Sequence, residues 1–262
     1  MADIDPERKC ILVTGAASGI GRATALLFAE KGWYVGLYDV DDRGLESIAR
    51  EIGPSGCCYR PMDVSSAASV KESIGHFSRN TGGRMDVLFN NAGILRMGAF
   101  EDIGLEEQLR VIDVNLKGMM NCIHAGLGLL KGTKDSRVIN MSSASALYGT
   151  AYLAAYSASK AAVSSLTESL NLELERHGIF VGDVMARYVR TPLLERDIQA
   201  PSIGKLGIHL EPEDVARTVW KAAHARKLHT DTKGMRPLLL LLKLPAFVQK
   251  AILRFLLLPG KK

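Results

Sequence analysis

Tyr156 and Lys160 lie four residues apart in the stretch Tyr156-Ser157-Ala158-Ser159-Lys160, which an alanine-rich run follows. On an α-helix, side chains four positions apart project from the same face, about one turn from each other. A phenol alone is a weak acid at neutral pH, with a reference pKa of about 10. Because a neighbouring ammonium group favours the phenolate, we expect Lys160 to lower the pKa of Tyr156. The pair therefore predicts proton transfer to or from a substrate oxygen.

A glycine-rich segment near the start of the chain indicates a phosphate-binding turn. Residues 10–14 form a short apolar run that is typical of a buried strand. Gly15, Gly19 and Gly21 follow it, and a helical pattern covers residues 22–31. In this context, the backbone N–H groups at the start of a helix bind a pyrophosphate. The spacing is GxxxGxG rather than GxGxxG, so a turn with a purely structural role remains the alternative.

Asp39 follows the second predicted strand, roughly 20 residues after the glycines. A carboxylate at this place accepts hydrogen bonds from the ribose of NAD and repels the 2′-phosphate of NADP. Asp41 and Asp42 add to that repulsion, whereas Arg43 opposes it. The sequence therefore predicts NAD as the cofactor, with NADP less favoured. A role for Asp39 as a turn residue only is the alternative.

Strand and helix patterns alternate along the chain, which predicts an α/β fold. We expect strands at residues 10–14, 33–38, 57–62, 85–89, 137–141 and 179–185. We expect helices at residues 22–31, 45–52, 67–79, 105–130, 152–177 and 211–226, with a mobile flap at residues 191–210. Such units build a Rossmann-type, doubly wound parallel sheet in three layers. We assign residues 1–232 to one dinucleotide-binding and catalytic domain, and residues 233–262 to a C-terminal helical extension.

Several polar side chains follow the predicted strands directly. Ligands of open α/β sheets bind beyond the carboxyl ends of the strands, so we expect Asp39, Asp63, Asn91 and Ser143 along one edge. Asn115 lies among apolar residues of the helix predicted at 105–130. A buried amide needs hydrogen-bond partners, and nearby backbone groups are the default partners for an asparagine.

Composition excludes some classes of function. The chain has 262 residues, of which 47% are hydrophobic and 23% charged, as in a globular protein. Its net charge is +5, but residues 233–262 carry seven basic and no acidic residues, which leaves −2 for the rest. This distribution predicts no nucleic-acid-binding surface on the main domain. The four cysteines lack metal-ligand spacing, and neither a secretory signal nor a membrane span is visible. We therefore expect a cytoplasmic protein without a bound metal.

The C-terminal extension combines cations with an apolar helical pattern. Lys243, Lys250 and Arg254 recur at helical spacing, and Pro245 either interrupts or starts the helix. We expect one broad apolar face, made of Phe247, Val248, Ala251, Ile252, Phe255 and Leu258. Such a helix packs either on the substrate pocket or a partner subunit, or on an anionic membrane surface. Both alternatives remain open from the sequence.

Over residues 9 to about 226, the chain resembles the short-chain dehydrogenase/reductase family. The motifs that match, in family order, are Thr14-Gly15 through Gly19-Ile20-Gly21, Asp63-Val64, Asn90-Asn91-Ala92-Gly93, Asn115, Ser142-Ser143, and Tyr156 with Lys160. The resemblance implies an NAD(P)-dependent oxidoreductase that interconverts a secondary alcohol and a ketone, commonly as a homodimer or homotetramer.

The resemblance also implies roles for individual residues. The catalytic set would be Asn115, Ser143, Tyr156 and Lys160, with Asn115 helping to hold a water that relays protons from Lys160. The cofactor would contact Gly15, Ser18, Gly19, Ile20, Gly21, Asp39, Asp63, Val64, Asn91, Ala92, Gly93, Tyr156, Lys160, Val189 and Thr191. One departure is clear: Ala186-Arg187 replaces the Pro-Gly pair that is usual before the nicotinamide-contacting segment.

The apolar flap residues Leu193, Leu194, Ile203 and Leu206 and the extension favour an apolar, lipid-like or steroid-like substrate. Two other classes of function remain. The first is a catalytically silent NAD-binding regulatory or scaffold protein with the same fold. The second is a serine hydrolase, although the chain has no GxSxG motif.

Overall fold

The structure is a computed structural model, and it describes residue 5, residues 7–195 and residues 200–258. The strands are β1 (Cys10–Thr14), β2 (Tyr34–Asp39), β3 (Cys57–Pro61), β4 (Val87–Asn90), β5 (Arg137–Met141), β6 (Phe180–Met185) and β7 (His229–Asp231). They form one parallel sheet in the order β3-β2-β1-β4-β5-β6-β7. The order reverses between β1 and β4, so the predicted doubly wound sheet is confirmed.

Helices cover both faces of the sheet. They are α1 (Gly19–Glu30), α2 (Asp42–Ile52), α3 (Ala67–Thr81), α4 (Leu105–Ile112), α5 (Gly118–Gly132), α6 (Ala154–Glu175), α7 (Pro192–Glu195), α8 (Pro201–Leu206), α9 (Pro212–Ala222), α10 (Arg236–Leu241) and α11 (Ala246–Leu257). Alternate strand residues point to opposite faces. Val13 therefore joins the core under α1, α2 and α9, whereas Leu12 joins the core under α3, α5 and α6.

Three regions differ from the sequence-based expectation. The helix expected over residues 105–130 contains a π-helical turn at Asp113–Lys117, between α4 and α5. A seventh strand, β7, pairs with β6 at the sheet edge. Within residues 191–210, expected to lack regular structure, α7 and α8 are helical, and the part of the flap at residues 196–199 lies outside the described residues.

The extension is helical and packs over the carboxyl edge of the sheet. Pro245 stands at the N-terminus of α11, so it starts that helix rather than interrupting it. Lys205 on α8 donates hydrogen bonds to the backbone carbonyls of Phe255 and Leu258, the latter at 2.8 Å. These bonds satisfy carbonyl groups that have no partner within a helix end. The flap and the extension therefore form one connected cover.

The exposed face of α11 is not the single apolar face that the sequence suggested. Phe247 and Phe255 are 76% and 72% exposed, and Lys250 and Arg254 are exposed beside them. Ile252, in contrast, is partly buried against the protein. Among the helices of the described residues, none combines the length and the apolar character needed to span a bilayer.

Candidate active site

The glycine-rich turn connects β1 to α1 and requires glycine for two different reasons. Gly15 and Gly19 have φ angles of +67° and +52°, which residues with a Cβ rarely adopt. Gly21 lies where a Cβ would collide with the carbonyl oxygen of Gly15 and stand 2.7 Å from Nδ2 of Asn91. The N-terminus of α1 thus faces open space with its backbone exposed to a ligand. This cradle fits the pyrophosphate of a dinucleotide.

Asn91 fixes the glycine-rich turn against the end of β4. Its Nδ2 donates to the backbone carbonyls of Thr14 and Gly15, at 3.0 and 3.2 Å. The hydroxyl of Thr14 in turn accepts hydrogen bonds from the backbone N–H groups of Asn91 and Ala92, both at 3.0 Å. The Asn91 side chain therefore holds the backbone of the glycine-rich turn in place.

Two carboxylates stand at the ends of neighbouring strands. Asp39 accepts hydrogen bonds from the backbone N–H groups of Ala17, at 3.0 Å, and Asp41, at 3.1 Å. Asp63 accepts from the hydroxyl and the N–H of Ser65, and these bonds outweigh its burial and lower its pKa. Both carboxylates line the same cleft as the glycine-rich turn, where they remain available to hydroxyl or amino groups of a ligand.

Tyr156 and Lys160 lie on α6, and Nζ of Lys160 is 5.6 Å from the ring centre of Tyr156. Nζ also donates to the backbone carbonyl of Met141, at 2.7 Å. The expectation that Lys160 lowers the pKa of Tyr156 is wrong for this structure. Burial raises the pKa of Tyr156 to about 12 despite a hydrogen bond to Ser143, and burial lowers the pKa of Lys160 to about 8. Removal from water disfavours both charged forms, and it is the largest cause of both pKa shifts.

Ser143 lies just beyond β5 and faces Tyr156. Its Oγ accepts hydrogen bonds from the backbone N–H and the hydroxyl of Ser145, at 3.2 and 3.0 Å. Because these donors occupy the acceptor side of Oγ, the Ser143 hydroxyl is left to donate toward Tyr156 and the cleft. The partners of Ser143 are thus a serine and a tyrosine, not the histidine that a serine hydrolase would need.

Asn115 is buried in the π-helical turn, and its amide is almost fully used by the protein. Nδ2 donates to the carbonyl of Ile94, at 3.0 Å, and to Oγ of Ser159, at 3.1 Å, while Oδ1 accepts from the N–H of Ile94, at 2.8 Å. Asn115 and Lys160 line one small cavity together, with Thr14 and Asn90 as further polar wall residues. Polar walls of this kind suit a buried water.

Most of the predicted site residues line two adjoining parts of one cleft. The first part contains Gly15, Ser18, Gly19, Ile20, Asp39, Asp63, Val64, Asn91, Ala92, Gly93 and Thr191. The second part, with a cavity volume of about 130 Å³, contains Ile20, Asn91, Gly93, Ser143, Tyr156, Lys160, Val189 and Thr191. Gly21 packs against the carbonyl of Gly15 within the turn, and Asn115 lines the small cavity that it shares with Lys160. The structure therefore brings the predicted set together.

Two contributors, Ser145 and Ser159, were not foreseen from the sequence, whereas Arg187 and the extension were already singled out there. Ser145 orients Ser143, Ser159 supports Asn115, and Arg187 lines the second part of the cleft. Leu238 on α10 and Leu257 on α11 complete its wall. Ser145 and Ser159 lie within three residues of recognised motif positions, so proximity alone could have suggested them. Packing of the extension on the substrate pocket was one of the alternatives that the sequence left open, and Leu238 and Leu257 make that contact.

A dinucleotide cradle that runs into a partly buried tyrosine and serine and a buried lysine defines the class of nicotinamide-dependent oxidoreductases. The model of the family described as short chain dehydrogenase matches residues 9–201. The chain belongs to the short-chain dehydrogenase family. It transfers a hydride between a nicotinamide dinucleotide and an alcohol or ketone, and no comparison supports a catalytically silent scaffold.

Relatives agree with this assignment. The chain is 37% identical over 223 residues to oxidoreductase UcpA of Salmonella typhimurium, covering 84% of this chain and 82% of that protein. It is 32% identical over 219 residues to cyclohexanol dehydrogenase of an Acinetobacter species, covering 80% and 86%. The crystal structure of 3-ketoacyl-(acyl-carrier-protein) reductase from Brucella melitensis complexed with NADH matches with a TM-score of 0.78 and 29% identity, covering 87% of this chain and 97% of that one.

Proposed function

We propose that this chain is an NAD-dependent dehydrogenase or reductase for an apolar secondary alcohol or ketone. The observation that carries the proposal is the second part of the cleft. There the hydroxyls of Ser143 and Tyr156 face walls made largely of leucine side chains, which are Leu95, Leu153, Leu193, Leu194, Leu206, Leu238 and Leu257. A polar reacting end opposite an apolar enclosure suits a substrate with one oxygen and a hydrophobic body.

Tyr156 acts as the proton donor in ketone reduction and as the acceptor in alcohol oxidation. When bound, the nicotinamide supplies or takes up the hydride at the substrate carbon. Oxygen charge develops at the same moment, so a donor at hydrogen-bond distance is required. The raised pKa of Tyr156 keeps the phenol protonated at neutral pH, which suits the reductive direction. Ser143 donates a second hydrogen bond to the same oxygen.

Lys160 and Asn115 renew the proton on Tyr156. The Lys160 ammonium has three N–H donors, and the carbonyl of Met141 uses one of them. The others are available to a ribose hydroxyl and to a water in the small cavity that Lys160 shares with Asn115. Asn115 thus contributes to proton relay by shaping that cavity, while its side chain stays bonded to Ile94 and Ser159.

Val189 and Thr191 contact the nicotinamide end, and Asp39 selects NAD over NADP. The Asp39 carboxylate already accepts two backbone hydrogen bonds, which hold it in place for ribose hydroxyls. Fluorescence titration with NADH and NADPH tests this selectivity. We expect tighter binding of NADH, and replacement of Asp39 by Ser should reduce the difference. Tighter binding of NADPH by the native protein would contradict the proposal.

Replacement of Tyr156 by Phe tests the catalytic assignment. The change removes only the hydroxyl, so we expect unchanged NADH affinity and loss of ketone reduction by about 100-fold or more. Tyr152→Phe provides a matched control, because Tyr152 lies just before the same helix but does not line the second part of the cleft. Retention of most of the activity by Tyr156→Phe would show that another group handles the proton.

The extension also makes contact with anionic membrane surfaces in this proposal. Exposed Phe247 and Phe255 beside Lys250 and Arg254 support it, since aromatic and cationic side chains act together at lipid interfaces. Flotation with phosphatidylserine vesicles tests it. We expect loss of lipid recovery for Phe247→Ser and Phe255→Ser but not for Phe100→Ser, a comparably exposed phenylalanine elsewhere. Equal recovery of all variants with the vesicles would contradict the proposed membrane contact.

Assembly into a homodimer or homotetramer in the cytoplasm completes the proposal. Exposed apolar side chains on α4, α5 and α6 support it, namely Leu105, Leu109, Met120 and Leu172. Light scattering of the purified protein tests the assembly. We expect a dimer or tetramer for the native chain and a smaller species for Leu172→Glu. A monomeric native protein would contradict it.

A further inference from the structure

Arg187 brings a positive charge into the apolar part of the cleft. It is partly buried and lines this part together with Tyr156 and the leucine walls. Among the described residues of the lining, Lys160 is the only other charged one, and none is a carboxylate. Burying a charge without a partner is costly. An apolar cleft with two cations and no anion among the described residues therefore favours a negatively charged ligand.

The guanidinium group of Arg187 is held in place but keeps most of its donors. Nη2 donates to the backbone carbonyl of Leu206, at 2.9 Å, which ties the group to the end of α8. Nη1 lies 3.1 Å from the position that a Cβ on Gly234 would take, so a side chain there would crowd the guanidinium. Gly234 has a φ of +84°, so glycine both permits the turn and leaves room for the guanidinium.

Within the described part of the chain, the surroundings of Arg187 contain hydroxyl groups but no ion-pair partner. Burial raises the pKa values of Tyr148 and Tyr188, and the nearby guanidinium of Arg187 acts in the opposite direction on both. Arginine has five N–H donors, and the described residues occupy one of those of Arg187, on the carbonyl of Leu206. The planar fork of the remaining donors matches a carboxylate in a bidentate arrangement.

We propose that Arg187 is a substrate-binding residue that selects alcohols or ketones bearing a carboxylate at a distance from the reacting oxygen. This inference rests on the proposed function and names its substrate class. The reacting carbonyl lies at Tyr156 and Ser143, the apolar body lies along the leucine walls, and the carboxylate pairs with Arg187. Hydride and proton transfer remain unchanged, since Arg187 takes no part in bond formation.

The test compares medium-chain oxo acids, with the ketone moved along the chain, with their methyl esters. For the native protein, we expect kcat/KM at least about ten-fold higher for the best acid than for its ester, the size of one charge-assisted hydrogen bond. Arg187→Gln should remove this preference through KM, and Arg187→Lys should keep part of it. Arg217→Gln, a surface change on α9, should leave the preference intact.

Outcomes of this test separate the inference from the proposed function. Equal use of acid and ester by the native protein, or an unchanged preference in Arg187→Gln, would overturn the inference while leaving the oxidoreductase assignment in place. A parallel loss of NADH affinity in Arg187→Gln would assign Arg187 to the cofactor instead and would also overturn it. If no ketone is reduced, the NADH-loaded protein is titrated with decanoate and with decanol in a calorimeter. Binding of decanoate that is lost in Arg187→Gln supports the inference. No decanoate binding, or equal binding by both proteins, refutes it.

Discussion

Replacement of Gly21 by Ala is the sharpest test of the glycine-rich turn. A Cβ at this position would overlap the carbonyl oxygen of Gly15 and lie 2.7 Å from Nδ2 of Asn91. The start of α1 must therefore move away from β4. Gly21 itself belongs to α1, so the substitution introduces no unfavourable φ angle. Any loss is then due to the missing space alone.

The magnitude follows from the contacts that the added methyl group disturbs. Overpacking of a tight site costs about 1–3 kcal/mol. The two hydrogen bonds from Asn91 to Thr14 and Gly15 weaken, at about 1 kcal/mol each. We therefore expect a loss of about 2–5 kcal/mol in the free energy of unfolding. Because the same shift misaligns the N–H groups of the cradle, NADH affinity should fall about ten-fold or more.

The assay combines urea denaturation with fluorescence titration by NADH. Gly128→Ala is the matched control, since Gly128 is exposed in α5 and its Cβ would meet nothing within 4 Å. We expect this control to stabilise the protein by about 0.5–1 kcal/mol and to leave NADH affinity unchanged. A folded Gly21→Ala protein that binds NADH within about two-fold of the native affinity would refute the reasoning.

Three further predictions concern the catalytic part of the cleft. Asn115→Ala leaves the partly buried N–H and carbonyl of Ile94 without their Asn115 partner and should cost about 2–5 kcal/mol in urea denaturation. Asn121→Ala loses one hydrogen bond, on Val64, and should cost about 1 kcal/mol. Equal losses would contradict this prediction. Ser145→Ala should lower kcat about three- to ten-fold and leave KM nearly unchanged, because Ser143 loses one donor that orients its hydroxyl. A change in KM alone would argue against this prediction. Because burial lowers the pKa of Lys160 to about 8, its charge is lost as pH rises through that value. The kcat/KM for ketone reduction should then be level below about pH 8 and fall above it; a rise from pH 7 to 9 would contradict the assignment.

Sequence reasoning succeeded where local pattern and physical constraint coincide. The alternation of short apolar strands with helices dictated a parallel sheet, and the sheet then brought Asp39, Asp63, Asn91 and Ser143 to one edge. Tyr156 and Lys160 lie on one helix, so their spacing alone fixed their neighbourhood. The direction of the Tyr156 pKa shift was wrong because helical spacing reveals charge partners but not burial.

Features that depend on distant contacts were not predicted. Strand β7 has only the residues His229–Asp231, which are too short and too polar for a strand pattern, and it forms because β6 offers a free edge. The π-helical turn around Asn115 keeps the apolar spacing of a regular helix, so periodicity could not locate it. The orientation of Arg187 depends on Leu206 and Gly234, neither of which is near it in sequence.

The walls of the substrate pocket extend beyond the part of the chain that the family model matches. The family model ends at residue 201, whereas Leu206, Leu238 and Leu257 close the space opposite Tyr156. The aligned portion therefore contains the catalytic residues and part of the pocket wall, Arg187 included, and the portion beyond it completes that wall. Two proteins could share every motif up to this boundary and still serve different metabolites.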